Sequence, residues 1–374
     1  MYRPYGIQLH TLTSPTFYDF GVLPYEATLQ TRYDLDGDAL RKKQVLYVQP
    51  HFKKEIVVPR DFTSGSVCAL PTGWHEVATM PAARGQTYGV TVGDYFYVFG
   101  GSTTFNGSGA SNSVYRYNRK TNVWDAPTTM PYSARELTAS LLPNGFIHIA
   151  GGSGVGVDYK NLSYWYDPYN NTWTAKNNLP MTWLDGRVGY LPDGRTLIFG
   201  GSINNTARPR IALAYYYDPE ADTYTAAPSM LVGVGNHVTG TMSDGRIISV
   251  GGGDINDTAP SLKTQIFDPT TLSWSYVADC ANPHGGYAGI ALTPCGPVYV
   301  WGGGIDYPTG YVGIKKVSAY DPTTDTWSTL TDLPFFAGWG AYGRFYDGQY
   351  IWASGHDNAA MTAKTYLSTD PVGD

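Results

Sequence analysis

Arg84, Arg135, Arg187, His237, His284 and Trp339 are the residues of this chain whose types could hold a ligand. Guanidinium groups grip carboxylates and carbonyls, imidazoles carry protons, and an indole offers a flat stacking face. Asp158, Lys160, Arg208, Arg210, Asp254, Asp257, Asp306, Tyr307, His356 and Asp357 extend the set. Together they are polar, mixed in charge and aromatic, which suits a sugar, a peptide or a protein surface. The arginines have a second use, as braces on the backbone carbonyls of neighbouring elements. Nothing in the set spells out catalysis. There is no phosphate loop, no paired-cysteine zinc motif and no Gly-x-Ser-x-Gly elbow. Asp34, Asp36 and Asp38 in YDLDGDALRKK approach a calcium loop, but the Gly comes early, at the fourth position rather than the sixth, and the twelfth position is Val45 rather than Glu. A solvated turn is expected there. No catalytic residue, metal or cofactor is assigned.

Residues so far apart meet only if the chain repeats, and it does. YNRKTNVW (117–124), YDPYNNTW (166–173), YDPEADTY (217–224), FDPTTLSW (267–274) and YDPTTDTW (320–327) align with their aromatic residues seven positions apart. Upstream of them stand Gly100-Gly101, Gly151-Gly152, Gly200-Gly201, Gly251-Gly252 and Gly302-Gly303, with first glycines spaced 51, 49, 51 and 51 residues apart. A period near 50 fits a four-stranded propeller blade. Each copy reads as strands A to D, with Gly-Asp, Asn-Gly or Asp-Gly breaks between A and B in the first four and an Asp-Pro turn from C to D in the last four. A sixth copy begins at GAYGRFYDGQYIWASG, has Ser354-Gly355 for the double glycine and Tyr366 for the first aromatic, and lacks its fourth strand. Trp74 lies 50 residues before Trp124, so a strand near 72–79 is expected to complete the last blade and close the ring.

The double glycines after strand B, the Tyr in strand C and the Trp in strand D resemble the kelch-repeat family over about four-fifths of the chain. The resemblance implies an all-β fold: a six-bladed propeller over 67–374, preceded by an N-terminal arm or small β subdomain at 1–66. Trp74, Trp124, Trp173, Tyr224, Trp274 and Trp327 then read as wedges between blades. Strand A becomes the innermost strand. The D-to-A connections and B-to-C loops open on one face, which gathers the candidate residues at the channel mouth. The family implies no single function, since such propellers serve as binding platforms, adaptors and a few enzymes.

Enzyme readings fit poorly. Copper oxidases of this fold need a Cys-linked Tyr with His ligands; Cys280, His284 and His237 come near, but no tyrosine is marked out as partner. The Ser-x-Asp-x-Gly-x-Thr-Trp turn of sialidases is absent. A sialic-acid mutarotase needs only a few acid-base groups in the channel and stays open as an alternative. Cys280 and Cys295 sit at opposite ends of one expected strand, roughly 20 Å apart, too far for a disulfide.

The 374 residues carry a net charge of -6, which argues against clamping nucleic acid, and no apolar run is long enough to span a membrane. The first 66 residues hold eight of the 25 basic and seven of the 31 acidic residues, and read as short extended pieces (IQLHTL, ATLQTRYDL, QVLYVQP, EIVVP) with little core. Such a segment needs a surface to bury against. With much Tyr, Gly, Thr and Asn and no signal peptide of the usual kind, the expectation is a non-catalytic structural or interaction protein of a virion, in a phage tail, nozzle or attachment part. It would be assembled in the host cytoplasm, docked to other subunits through residues 1–66, and oligomeric within the assembly. A cytoplasmic protein- or glycan-binding module is the alternative.

Overall fold

The computed structural model describes residues 73–369, apart from short stretches at 105–108, 157, 204–208, 254–259, 294–295, 306–311, 346–347 and 359, together with four strands between residues 9 and 57. Residues 73–369 form six four-stranded antiparallel sheets, each a blade of one β-propeller. The innermost strands are Tyr88–Val92, Thr138–Leu141, Arg187–Tyr190, Val238–Thr241, Gly289–Leu292 and Ala341–Arg344. The second strands (YFYVF, IHIA, TLIF, IISV, VYVW, YIWA) read as nearly unbroken apolar runs and are buried on both faces. A strand sandwiched between neighbouring sheets has no wet side to alternate with. The outermost strands, such as TWTA at Thr172–Ala175, are largely exposed and do alternate.

The repeated eight-residue stretch is a turn with its own hydrogen bonds. Asp167 Oδ1 accepts the backbone N–H groups of Tyr169 (2.9 Å) and Asn170 (3.1 Å), and Asp218 and Asp268 do the same two and three residues on. These are Asx turns, which fold the chain from strand C into strand D. The Gly-Gly pair is set by close approach. Gly100 and Gly101 have φ of 58° and 90°, and a Cβ on either would lie 2.2 Å from Ala134 O or Thr87 Cγ2. Gly101 N–H donates to Ala134 O at 2.9 Å, tying blade 1 to the connection that enters blade 2.

The ring closes as expected. Trp74–Val77 pairs antiparallel with Thr365–Ser368, with Ser368 opposite Trp74 and Thr365 opposite Val77. The closing strand is shorter than 72–79, and blade 6 is thus built from both ends of the propeller sequence. One feature was not foreseen: a small hairpin, Gly304–Ile305 with Val312–Gly313, in the B-to-C loop of blade 5. Asn358 of blade 6 holds it, with its Nδ2 donating to Gly313 O at 2.9 Å.

Nearer the N-terminus, Leu9–Thr11, Ala27–Asp36, Ala39–Val48 and Ile56–Val57 form a four-stranded sheet in sequence order. The acidic run is not a free turn. The strand carries through Asp36, with Asp34 opposite Arg41 and Asp36 opposite Ala39; Gly37 and Asp38 lie outside the described residues. Cys280 is buried with a free thiol, while Cys68 and Cys295 lie outside the described residues. Among the described residues no helix is long and apolar enough to cross a membrane.

Candidate functional site

Where each connection drops from the rim into an innermost strand, one non-glycine residue adopts the left-handed conformation. These are Gln86 (φ 56°), Glu136 (59°), Asp185 (58°), Asn236 (55°), Tyr287 (67°) and Trp339 (55°), one per blade. All six are buried and ring the mouth of the channel. Left-handed backbone disfavours such side chains. A belt of backbone bonds links four of them: Glu136 N to Gln86 O (3.1 Å), Asp185 N to Glu136 O (2.9 Å) and Gln86 N to Trp339 O (2.7 Å).

The charges at the mouth fall into two buried groups. Glu136 accepts from Arg135 (2.7 Å), Gln86 Nε2 (2.9 Å) and Ser153 Oγ (2.9 Å). Asp185 accepts from Arg210 (3.1 Å), whose same nitrogen also reaches Ser202 Oγ (2.8 Å). Tyr287 of blade 5 donates its phenol hydrogen to Asp185 Oδ1 of blade 3 at 3.0 Å, spanning the sector of blade 4. Burial, together with the neighbouring Asp185 and Glu136 carboxylates, holds the Tyr287 phenol well above its ordinary pKa.

Arg187 forms the floor. Its guanidinium lies 4.6 Å from the Tyr287 ring centre and 5.7 Å from that of Tyr88, and its Nε donates to His237 O at 2.6 Å. Residues of blades 1, 3 and 5 therefore meet across the channel. Among the described residues no group of His, Cys, Asp and Glu is arranged to hold a metal ion.

The sequence-selected residues do not all reach the mouth. Arg135, Arg187 and Trp339 do. Arg84 instead donates to Gly100 O (3.2 Å) and Tyr115 OH (3.2 Å), and His284 places Nδ1 2.9 Å from Gly302 O and Nε2 2.8 Å from Ser318 Oγ. Since a nitrogen facing a carbonyl must donate, Nε2 of His284 accepts from Ser318. Tyr132 OH and Trp183 Nε1 reach the matching glycine carbonyls, Gly151 O (3.1 Å) and Gly200 O (2.7 Å). Four different donors thus brace the same carbonyl in four blades. His237 is packed 5.3 Å from Phe199 with neither ring nitrogen hydrogen-bonded, and burial beside Arg187 and Arg210 keeps it neutral. His356 lies 6.2 Å from Trp339, and its Nδ1 accepts from Asn358 N at 3.1 Å. Asp158 pairs with Lys160 on the exposed loop. Asp306, Tyr307, Arg208, Asp254 and Asp257 lie outside the described residues.

The aromatic wedges sit in the seams between blades. Trp124, Trp274 and Trp327 donate to Ala78 O (2.8 Å), Pro228 O (2.9 Å) and Ala278 O (2.9 Å) of the preceding blade. Trp74 packs edge-on to Phe335 at 5.4 Å, and Trp173 packs against Phe99 at 6.4 Å. Tyr224 bonds Ser163 Oγ (3.0 Å) and His148 Nε2 (3.1 Å). Gln86, Glu136, Asp185, Asn236 and Tyr287 escaped the sequence reading. Their signal was there, in a position 14 or 15 residues before each first glycine, but the residue types differ from blade to blade.

The Kelch motif family model matches residues 89–131, which is blade 1 with the start of the connection to blade 2. The chain is 32% identical over 127 residues to Kelch-like protein 36 of Bos taurus, and 31% identical over the same length to that of Rattus norvegicus. The matched part is 34% of this chain and 20% of each relative, so the chain spans about a fifth of the length of these curated relatives. The solved structure of YjhT superposes with a TM-score of 0.64 at 14% identity, over 77% of this chain and 95% of that one. At that identity the likeness speaks for the fold. Six blades closed by an N-terminal strand, with glycine pairs and aromatic wedges at a period near 50, give this chain a kelch-type β-propeller fold, with the Kelch motif itself matched in blade 1.

Proposed function

We propose that the chain is a non-catalytic interaction subunit of a larger assembly, a virion component of the phage tail or attachment type, which docks through residues 1–66 and presents the propeller as a platform. The observation that carries this reading is the N-terminal sheet. Its central strands, Ala27–Asp36 and Ala39–Val48, pair along all ten residues, but Leu9–Thr11 covers only Thr28 to Gln30 and Ile56–Val57 only Val45 and Leu46. Among the described residues, the outer edges of Thr31–Asp36 and Ala39–Gln44 have no strand partner. Open edges take up strands of other chains. A non-catalytic role is supported by the mouth carboxylates, each buried in an ion pair of its own.

Light scattering on the full chain and on a chain starting at Gly65 tests this. A defined oligomer for the full chain and a monomer for the shorter one is the expected result. Two monomers of equal compactness would sink the docking role. Imaging of the assembled particle with a label on the propeller tests the virion placement. As a second reading, Asp185, Glu136 and Tyr287 at the mouth favour a glycan-binding module.

A further inference from the structure

Tyr287 differs from its five counterparts in how the backbone delivers it. In the other blades a single residue separates the carbonyl that receives the glycine-pair N–H from the left-handed residue, as between Ala134 and Glu136 or between Trp183 and Asp185. In blade 5 the carbonyl belongs to His284, and Gly285 and Gly286 intervene before Tyr287. Gly286 and Tyr287 both have positive φ, 52° and 67°. The extra residue takes Tyr287 out of the belt, since Trp339 N–H bonds Gly286 O at 2.9 Å. Freed from that register, the side chain passes over blade 4 to Asp185. Two buried polar atoms of the innermost connections have no hydrogen-bond partner: Oδ1 of Asn236, the mouth residue of blade 4, and Nη2 of Arg187, whose guanidinium lies over the Tyr287 ring.

We propose that the channel mouth is a binding site for a neutral polyhydroxylated ligand, a saccharide ring, and that Tyr287 is a displaceable bar standing in its place. The phenol is a hydroxyl donor that Asp185 takes from outside its own ion pair. A ligand hydroxyl would take over that bond, a second would donate to Asn236 Oδ1, and Arg187 Nη2 would donate to a ring or hydroxyl oxygen. Trp339, packed with Tyr287 and Met361, and Tyr88 offer faces for the apolar side of a sugar ring. An acidic sugar would bring its carboxylate against Asp185 and Glu136, whose arginines are already engaged. The glycine pair before Tyr287 provides the backbone freedom for the swing.

The test is saturation-transfer NMR and calorimetric titration of the full chain with D-glucose, D-galactose, N-acetyl-D-glucosamine and D-galacturonic acid. Because ligand must first displace the bar, wild-type affinity is lowered by the fraction of molecules with the mouth open. Tyr287→Ala is expected to bind at least one neutral sugar about tenfold more tightly than wild type. Tyr287→Phe, which keeps the ring and frees Asp185, should fall between them and carries the test if the alanine variant fails to fold. Adding Asn236→Ala should remove the gain. The proposal is overturned if neither Tyr287 variant binds a neutral sugar more tightly than wild type, if only the acidic sugar binds, or if Asn236→Ala leaves the gain intact.

Discussion

The phenol of Tyr320 donates to Asp325 Oδ1 at 3.0 Å, and the same oxygen accepts Ala278 N–H of the preceding blade at 2.8 Å. Asp325 has φ 52°, so one left-handed residue at the C-to-D turn staples its own blade and the seam. Tyr117 with Asn122 and Ala78, and Tyr217 with Asp222 and Asn177, repeat the arrangement. Blade 4 lacks all three parts. Phe267 has no hydroxyl, Leu272 has no acceptor, and Pro228, at the position of Ala278, has no N–H. Leu272 nonetheless keeps φ 53°. Its left-handed backbone is therefore strain without return. Leu272→Asn is expected to stabilise the propeller by about 1 kcal/mol. Asp325→Leu should cost about 2 kcal/mol by orphaning two donors. Chemical denaturation of both variants decides the point; a stabilising Asp325→Leu would refute the staple.

The Asp185–Arg210 pair is fully buried. Arg210→Met is expected to cost about 3 kcal/mol or more, because it leaves the carboxylate with its charge unmatched. The double variant Arg210→Met/Asp185→Asn should recover part of the loss. If both proteins unfold at the same denaturant concentration, the pair does not matter as argued.

Buried histidines give the propeller a pH dependence. Burial pushes His148 down to about 3 and His284 to about 4, and holds His237 well below its ordinary value. From about pH 6.5 down to about 4 the unfolded chain takes up protons that the folded chain refuses, so stability falls with falling pH there and these groups have no effect above it. Each histidine contributes a slope of up to about 1.4 kcal/mol per pH unit. His148→Leu, the residue type at the matching position 197, should flatten part of that slope while Tyr224 keeps its bond to Ser163. Denaturation midpoints between pH 7 and 4 for both proteins provide the check, and parallel curves would count against it.

The closing strand should be indispensable where the rest of the N-terminal segment is not. A chain starting at Thr79 loses Trp74–Val77, bares the edge of Thr365–Ser368 and uncovers Phe335 and Trp301. It is expected to aggregate or to melt well below a chain starting at Gly65. Equal melting temperatures would mean that the ring does not need its fourth strand in blade 6.

The sequence by itself determined the ring. The Asx turns, the glycine pairs and the aromatic residues seven apart are local devices, so six blades and their strand order could be read from a period near 50. The missing fourth strand of the last copy and Trp74 one period upstream fixed how the ring closes. What the sequence left undecided was which side chains meet at the mouth. Arg84 and His284 point to glycine carbonyls because their connection backbone places them behind the mouth, not on it. Tyr287 and Asp185 lie 102 residues apart and touch only because the channel is narrow enough for alternate blades to meet across it. Contacts through an axis of the ring leave no period in the chain. Only the closed tertiary structure, with one extra residue in blade 5, decided them.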